Sequence, residues 1–201
     1  MVRPASGATQ ESTLQWGSWH CRKYRAGGKC SLCSHMKETT FIESYFFMTK
    51  FKVHGYLAHD WAPNNKIRWY IYTIQDVPCG KMYCGSTISP VARFSQHRST
   101  CNNPHKQRHG GTGLCKHFRE GCPNDDGRDK NNLRFTLIDY HDTTLEQLAL
   151  ANHVKGPPCR CRECDKLKAL EDFHIMRLGT VFGGSSLNSR DEIRNKARCS
   201  W

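Results

Sequence analysis

No stretch of this chain is long and apolar enough to span a bilayer, and Met1 to Ser12 lacks the apolar core of a secretory leader. Those absences predict an intracellular protein with no membrane partner. Acidic residues are scarce: 18 Asp and Glu stand against 30 Lys and Arg, giving a net charge of +12 and a pI near 9.3. No basic amphipathic helix stands out, so the polyanion that such a balance favours is nucleic acid rather than a lipid surface. No internal repeat is visible. At 201 residues the chain suits one sizeable domain plus a small appendage, not two full cores.

Cysteine is what the chain has in excess, with 12 cysteines and 11 histidines. A disulfide framework normally accompanies a secretory signal, so the missing leader disfavours a secreted disulfide-rich protein and favours zinc. Cys159-x-Cys161-x2-Cys164 places three thiols within six residues, just after Pro157-Pro158 and among charged neighbours. Packing alone explains that poorly. A tetrahedral site needs a fourth ligand, for which His153, Cys122, Cys115 and Cys79 are candidates. A second zinc site is suggested by Cys30-x2-Cys33, with two of Cys21, His20, His35 and His59 to complete it. Ordinary free thiols are the competing reading, and Cys101, Cys115 and Cys122 fit it.

Residues 1–18 are polar and rich in small residues, which predicts a disordered tail. Residues 19–66 form a Cys/His-rich extension that includes a small hairpin within 40–56. A main domain is expected over 67–198. There, 68–75 and 81–86 read as two strands joined by Pro78-Cys79-Gly80, and Leu133 to Tyr140 reads as a third. Ser89 and Pro90 start a helix that should end before Cys101, and 114–119 suits a short helix. Thr143-x-x-Glu146 has the form of a capping box for a helix to about Val154, and Asp165 should cap another running to Leu178 with Gly179 as its stop. The order ββα…βαα predicts an α+β fold, a small three-stranded antiparallel sheet flanked by helices.

Trp69-Tyr70-Ile71-Tyr72 and Lys81-Met82-Tyr83-Cys84-Gly85-Ser86 each deliver a tyrosine, and Arg93 and His97 share one face of the helix that follows. Two phenols, a guanidinium and an imidazole suit the handling of a phosphodiester, whose hydrolysis needs an activated water, charge neutralisation and usually a cation. Strand tyrosines are also common core residues; Gly85, Arg93 and His97 in register favour function. The basic stretch Lys106-Gln107-Arg108-His109 with Lys116, His117 and Arg119 reads equally as a backbone-contacting insertion or a solvated loop.

Ile71-Tyr72, Tyr83-Cys84-Gly85, Arg93 and His97 together resemble the GIY-YIG nuclease superfamily. Within it, the chain is similar to the endonuclease of Penelope-like retroelements and free-standing relatives, with extra cysteines before and within the module. The resemblance runs from about Cys30 to Arg198. It implies a metal-dependent DNA endonuclease of mobile-element type with DNA as partner and an intracellular, nuclear location. It also implies that Leu170-Glu171-Asp172-Phe173-His174-Ile175 carries the metal-binding glutamate and that Asn188 is the terminal asparagine of the site. Glu171 would hold Mg²⁺ or Mn²⁺ on the flank of a stripe formed by Leu167, Leu170, Phe173 and Leu178; the bland reading makes it a solvated residue near Lys168. Asn188 would orient that helix or reach a phosphate. Tyr72 is the expected general base, Tyr83 a positioning phenol, Arg93 the charge stabiliser and His97 an orienting or relay group. Departures are Tyr70 for the first triplet's glycine, Cys84 for the second triplet's aliphatic centre, Asp76 where relatives often carry cysteine, and Ser185-Ser186 before the asparagine. The alternative is a zinc-stabilised nucleic-acid-binding protein with an inactive nuclease fold.

Overall fold

The computed structural model describes residues 21, 26–36, 41–44, 49–52, 66–102, 113–120, 133–152, 159, 161–179 and 187–188. A hairpin of β1 (Phe41–Ser44) and β2 (Thr49–Lys52) precedes the main sheet. The sheet consists of β3 (Lys66–Asp76), β4 (Met82–Thr87) and β5 (Leu133–Thr144), ordered β4-β3-β5 and antiparallel throughout. A 3-10 turn (Cys33–His35) and the helices α1 (Pro90–Asn102), α2 (Gly113–Glu120), α3 (Leu145–Leu150) and α4 (Arg162–Leu178) complete the described elements. The expected α+β fold is the one observed.

Period-two alternation sends the side chains of central β3 into two separate cores. Trp69 and Ile71 join Cys164, Leu167, Ile175 and Leu178 of α4 on one side of the sheet. Tyr70, Tyr72 and Ile74 join Phe94 of α1 and Leu114 of α2 on the other. A bulge opposite Ile71 and Tyr72 leaves Ile138 without a partner in the register, so Ile138 enters the α4 core while Leu137 remains on the α1 side. The β3–β4 turn closes as its sequence suggests: Gly80 N–H donates to the Asp76 carbonyl at 2.8 Å, with Gly80 at φ 71°.

Several boundaries differ from the sequence reading. β5 pairs with β3 as far as Thr144, which displaces the capping box to Thr144 and Gln147. Helix α3 ends at Leu150, short of Val154. Helix α1 continues through Cys101 to Asn102. Cys161, not Asp165, caps α4, and Asp165 N–H donates to the Cys161 carbonyl at 3.0 Å. Phe173 is 55% exposed and so is not part of the α4 core stripe. Gly179 ends α4 in the left-handed region as expected.

The cysteine-rich segment packs onto this sheet. Leu32 and Met36 are buried in the core that holds Tyr72, and Met36 forms a parallel bridge to Phe135. The expected tail 1–18, His20, His59, the basic loop 106–109, Cys122 and His153 lie outside the described residues.

Candidate active site and metal-binding clusters

The β3–β4 register sets Gly85 directly opposite Tyr72. A Cβ at position 85 would lie 2.8 Å from the Tyr72 hydroxyl and 3.0 Å from the Tyr83 ring, so only glycine lets the two phenols close over this strand. The Tyr72 and Tyr83 centroids are 6.3 Å apart, and the His97 ring lies 5.8 and 5.4 Å from them. Tyr72 also stacks on Phe135 at 4.9 Å. Helix α1 begins where Arg93 N–H donates to the Ser89 carbonyl, and its four-residue spacing points Arg93 and His97 at the same phenol. Arg93 Nε donates to the Tyr72 hydroxyl at 3.1 Å, and that hydroxyl lies 2.8 Å from His97 Nε2.

Burial and the Arg93 cation push the His97 imidazole down to about 3, so at neutral pH it is uncharged. With the ring proton on Nδ1, its Nε2 accepts a hydrogen bond from the Tyr72 hydroxyl. Burial raises the Tyr72 pKa, overriding the opposite influence of Arg93. Glu171 also raises it, which places that carboxylate within electrostatic reach of the phenol. Tyr72 is thus a neutral phenol with a proton acceptor on one side and a cation on the other.

His97 carries a stability consequence. The unfolded imidazole titrates near ~6.5 and the folded one near 3, so the unfolded chain binds the extra proton between those values. Stability is full above the unfolded value and falls as pH drops through this window, by up to about 1.4 kcal/mol per pH unit. Urea-unfolding midpoints at pH 7, 5 and 4 should therefore fall less steeply in His97→Gln than in the unaltered chain.

Glu171 approaches from the opposite side of edge strand β4. Ser86 follows Gly85, pairs with Ile71 and faces α4, where its Oγ donates to Glu171 Oε2 at 2.7 Å. Lys168 pairs with Asp172. The phenols, Arg93 and His97 thus lie on the α1 side and the carboxylate on the α4 side, with Gly85 between them.

Asn188 lies against the edge of β4. Its Oδ1 accepts the Cys84 N–H at 2.8 Å and its Nδ2 donates to the Cys84 carbonyl at 2.8 Å. Leu187 N–H donates to the Met82 carbonyl at 3.1 Å. The amide therefore satisfies the edge of β4 as another strand would, and its described bonds orient that strand rather than the glutamate helix.

Among the described residues, three groups of potential metal ligands have donor atoms within 4.8 Å of one another. Cys21 joins Cys30 and Cys33, and the Cys21 N–H donates to Cys33 Sγ at 3.4 Å. His35 does not join this group, and its ring packs 5.1 Å from Phe94. Cys159, Cys161 and Cys164 gather at the start of α4, where backbone groups of Glu163 and Cys164 hydrogen-bond the Cys161 sulfur. Cys164 is disulfide-bonded, so it offers a thiolate only after reduction. The third group is Asp76, Cys79 and His117. His117 Nε2 lies 2.8 Å from Asp76 Oδ2, and Cys79 Sγ lies 3.2 Å from the same oxygen and 3.5 Å from His117. This removes Cys79 from the candidates for the Cys159 cluster and buries His117 away from any backbone-contacting role. Asp76 and His117 were missed as candidate ligands because their pairing spans 41 residues; proximity of Asp76 to Cys79 was the available signal.

Residues 68–155 match the family model of the GIY-YIG catalytic domain, a domain of nucleases. Tyr72, Tyr83, Arg93 and His97 fall within the match; Glu171 and Asn188 lie beyond it. No curated protein and no solved structure matches the chain.

Proposed function

We propose that the chain is a divalent-metal-dependent DNA endonuclease of mobile-element type that acts in the nucleus. The convergence of Arg93 and His97 on the Tyr72 hydroxyl, opposite Gly85, carries the reading. The +12 net charge supports DNA as substrate. A half-buried Glu171 oriented by Ser86 fits Mg²⁺ or Mn²⁺, which typically binds through one or two carboxylates with waters and substrate phosphate. When bound, such a cation neutralises phosphate charge and makes water more acidic.

The chain's own residues supply the rest. Tyr72 is the general base, its hydroxyl oriented by His97 across the 2.8 Å contact. Once the site opens on DNA and the phenol has lost its proton to solvent, the phenolate, held by Arg93, accepts a proton from the attacking water. Arg93 also stabilises charge as it accumulates on the phosphate. Tyr83, beside Tyr72 on the same face, orients the water or phosphate. Conversion of supercoiled plasmid to nicked circles in Mg²⁺, and not in excess chelator, tests this reading. No nicking at any protein concentration counts against it.

One observation favours the inactive, nucleic-acid-binding alternative: Tyr72 is 0% exposed. Water reaches its oxygen only if the site opens on DNA. An unaltered chain that binds DNA without nicking it would establish that alternative.

Zinc is the proposed structural metal for the three clusters. The Cys159 cluster would pin the N-terminus of the glutamate helix, and the Asp76 cluster would fix the β3–β4 turn. The reduced protein is expected to hold at least one zinc, measured by atomic absorption. Thorough chelation should unfold the local segment, because a structural zinc contributes folding free energy directly. A chelated, metal-free chain that stays folded and nicks plasmid with Mg²⁺ alone would overturn this assignment.

A further inference from the structure

We infer that Ser86 is a positioning residue that fixes the orientation of the Glu171 carboxylate for the catalytic cation. The inference rests on the nuclease reading above and specifies how the site is set. Glu171 lies in the interior of α4, at the end of a side chain with three rotatable bonds. Ser86 lies in β4, whose backbone is held by β3 on one edge and by Leu187 and Asn188 on the other. Its hydroxyl is consequently a rigid reference point. The 2.7 Å Oγ–Oε2 contact is a hydrogen bond to a charged acceptor, which is stronger and more directional than a neutral one.

Strand geometry makes the pair specific. Gly85 faces the phenols and must lack a side chain, whereas its neighbour Ser86 faces the carboxylate. Two successive residues therefore serve the two sides of one site. A hydroxyl at 86 restricts Glu171 before any cation arrives, so little rotamer freedom remains to be lost on binding. Removing such an outer partner of a metal ligand typically weakens metal affinity by ~10–100-fold.

Three variants separate this role from simple packing. Ser86→Ala deletes the hydroxyl, Ser86→Thr retains it, and Glu171→Ala marks loss of the ligand itself. Mn²⁺ binding to the zinc-loaded protein is read by electron paramagnetic resonance of the free ion, without reference to cleavage. Plasmid nicking is then titrated with Mg²⁺. Ser86→Ala should raise the Mn²⁺ dissociation constant and the Mg²⁺ half-saturation point by about 10-fold or more, with near-normal nicking at saturating Mg²⁺. Ser86→Thr should restore both values, which also shows that the site folds with a hydroxyl at this position. An active unaltered chain whose Ser86→Ala variant shows unchanged Mn²⁺ binding and Mg²⁺ dependence overturns the inference alone. An unaltered chain that neither nicks plasmid nor retains Mn²⁺ overturns the nuclease reading and the inference together.

Discussion

Glu171→Ala is expected to abolish Mg²⁺-dependent plasmid nicking while leaving DNA retention in a gel-shift assay intact. Among the described residues, Glu171 is the carboxylate that both contacts β4 beside Gly85 and acts electrostatically on Tyr72. Other described acidic groups near the sheet are engaged elsewhere: Asp76 with His117, Asp139 with His174, Asp142 with Arg68, and Glu163 with His141 and Lys166. Asp172, adjacent in sequence, pairs with Lys168. Loss of Glu171 therefore has no ready substitute. Retention of DNA is expected because its phosphates are attracted mainly by the chain's positive charge, which the substitution increases by one. Full nicking by the variant would sink the mechanism.

Arg93→Ala is expected to lower the nicking rate by at least ~10²–10³, the usual cost of deleting one oriented donor to a developing oxyanion. The loss should appear in the rate at saturating DNA, with little change in binding. Arg93 donates to the Tyr72 oxygen and also hydrogen-bonds Tyr83, so it joins both phenols to the phosphate. Tyr72→Phe keeps the stack on Phe135 and removes only the hydroxyl, separating chemistry from packing. It should fall as far as Arg93→Ala or further. If Tyr72→Phe and Tyr83→Phe both nick at the unaltered rate, the tyrosines are structural and His97 or metal-bound hydroxide must be the base. If only Tyr83→Phe is inactive, the two phenols exchange roles and the nuclease reading stands.

The parts of this site written in local pattern were legible in the sequence. Short β-type runs on either side of Pro78-Cys79-Gly80 identified β3 and β4, the Ser89-Pro90 pair marked the start of α1, and four-residue spacing put Arg93 and His97 together. What the sequence left open depends on contacts between distant segments. Ser86 meets Glu171 across 85 positions, and Asn188 meets Cys84 across 104. No local periodicity encodes such pairs. The start of α4 was misplaced for a related reason: Asp165 is the better isolated cap, but Cys161 occupies that place within the thiol cluster. Phe173 was assigned to the core by its apolar character. The buried stripe instead uses Cys164, Leu167, Ile175 and Leu178 with the polar His174, which bonds Asp139 at 2.9 Å.

The bond between Asn188 and Cys84 also sets a schedule during synthesis. While the ribosome is still making the residues before Leu187, the outer edge of β4 lacks the groups that later satisfy Met82 and Cys84. The strand bearing Tyr83, Gly85 and Ser86 is then bounded on one side only. A growing chain can form the β3–β4 hairpin early, but its reactive strand is secured only after Asn188 has emerged. On the nuclease reading, cleavage competence is thereby deferred until Asn188 is available, and a product terminated before it leaves an open strand edge, prone to pairing with other chains.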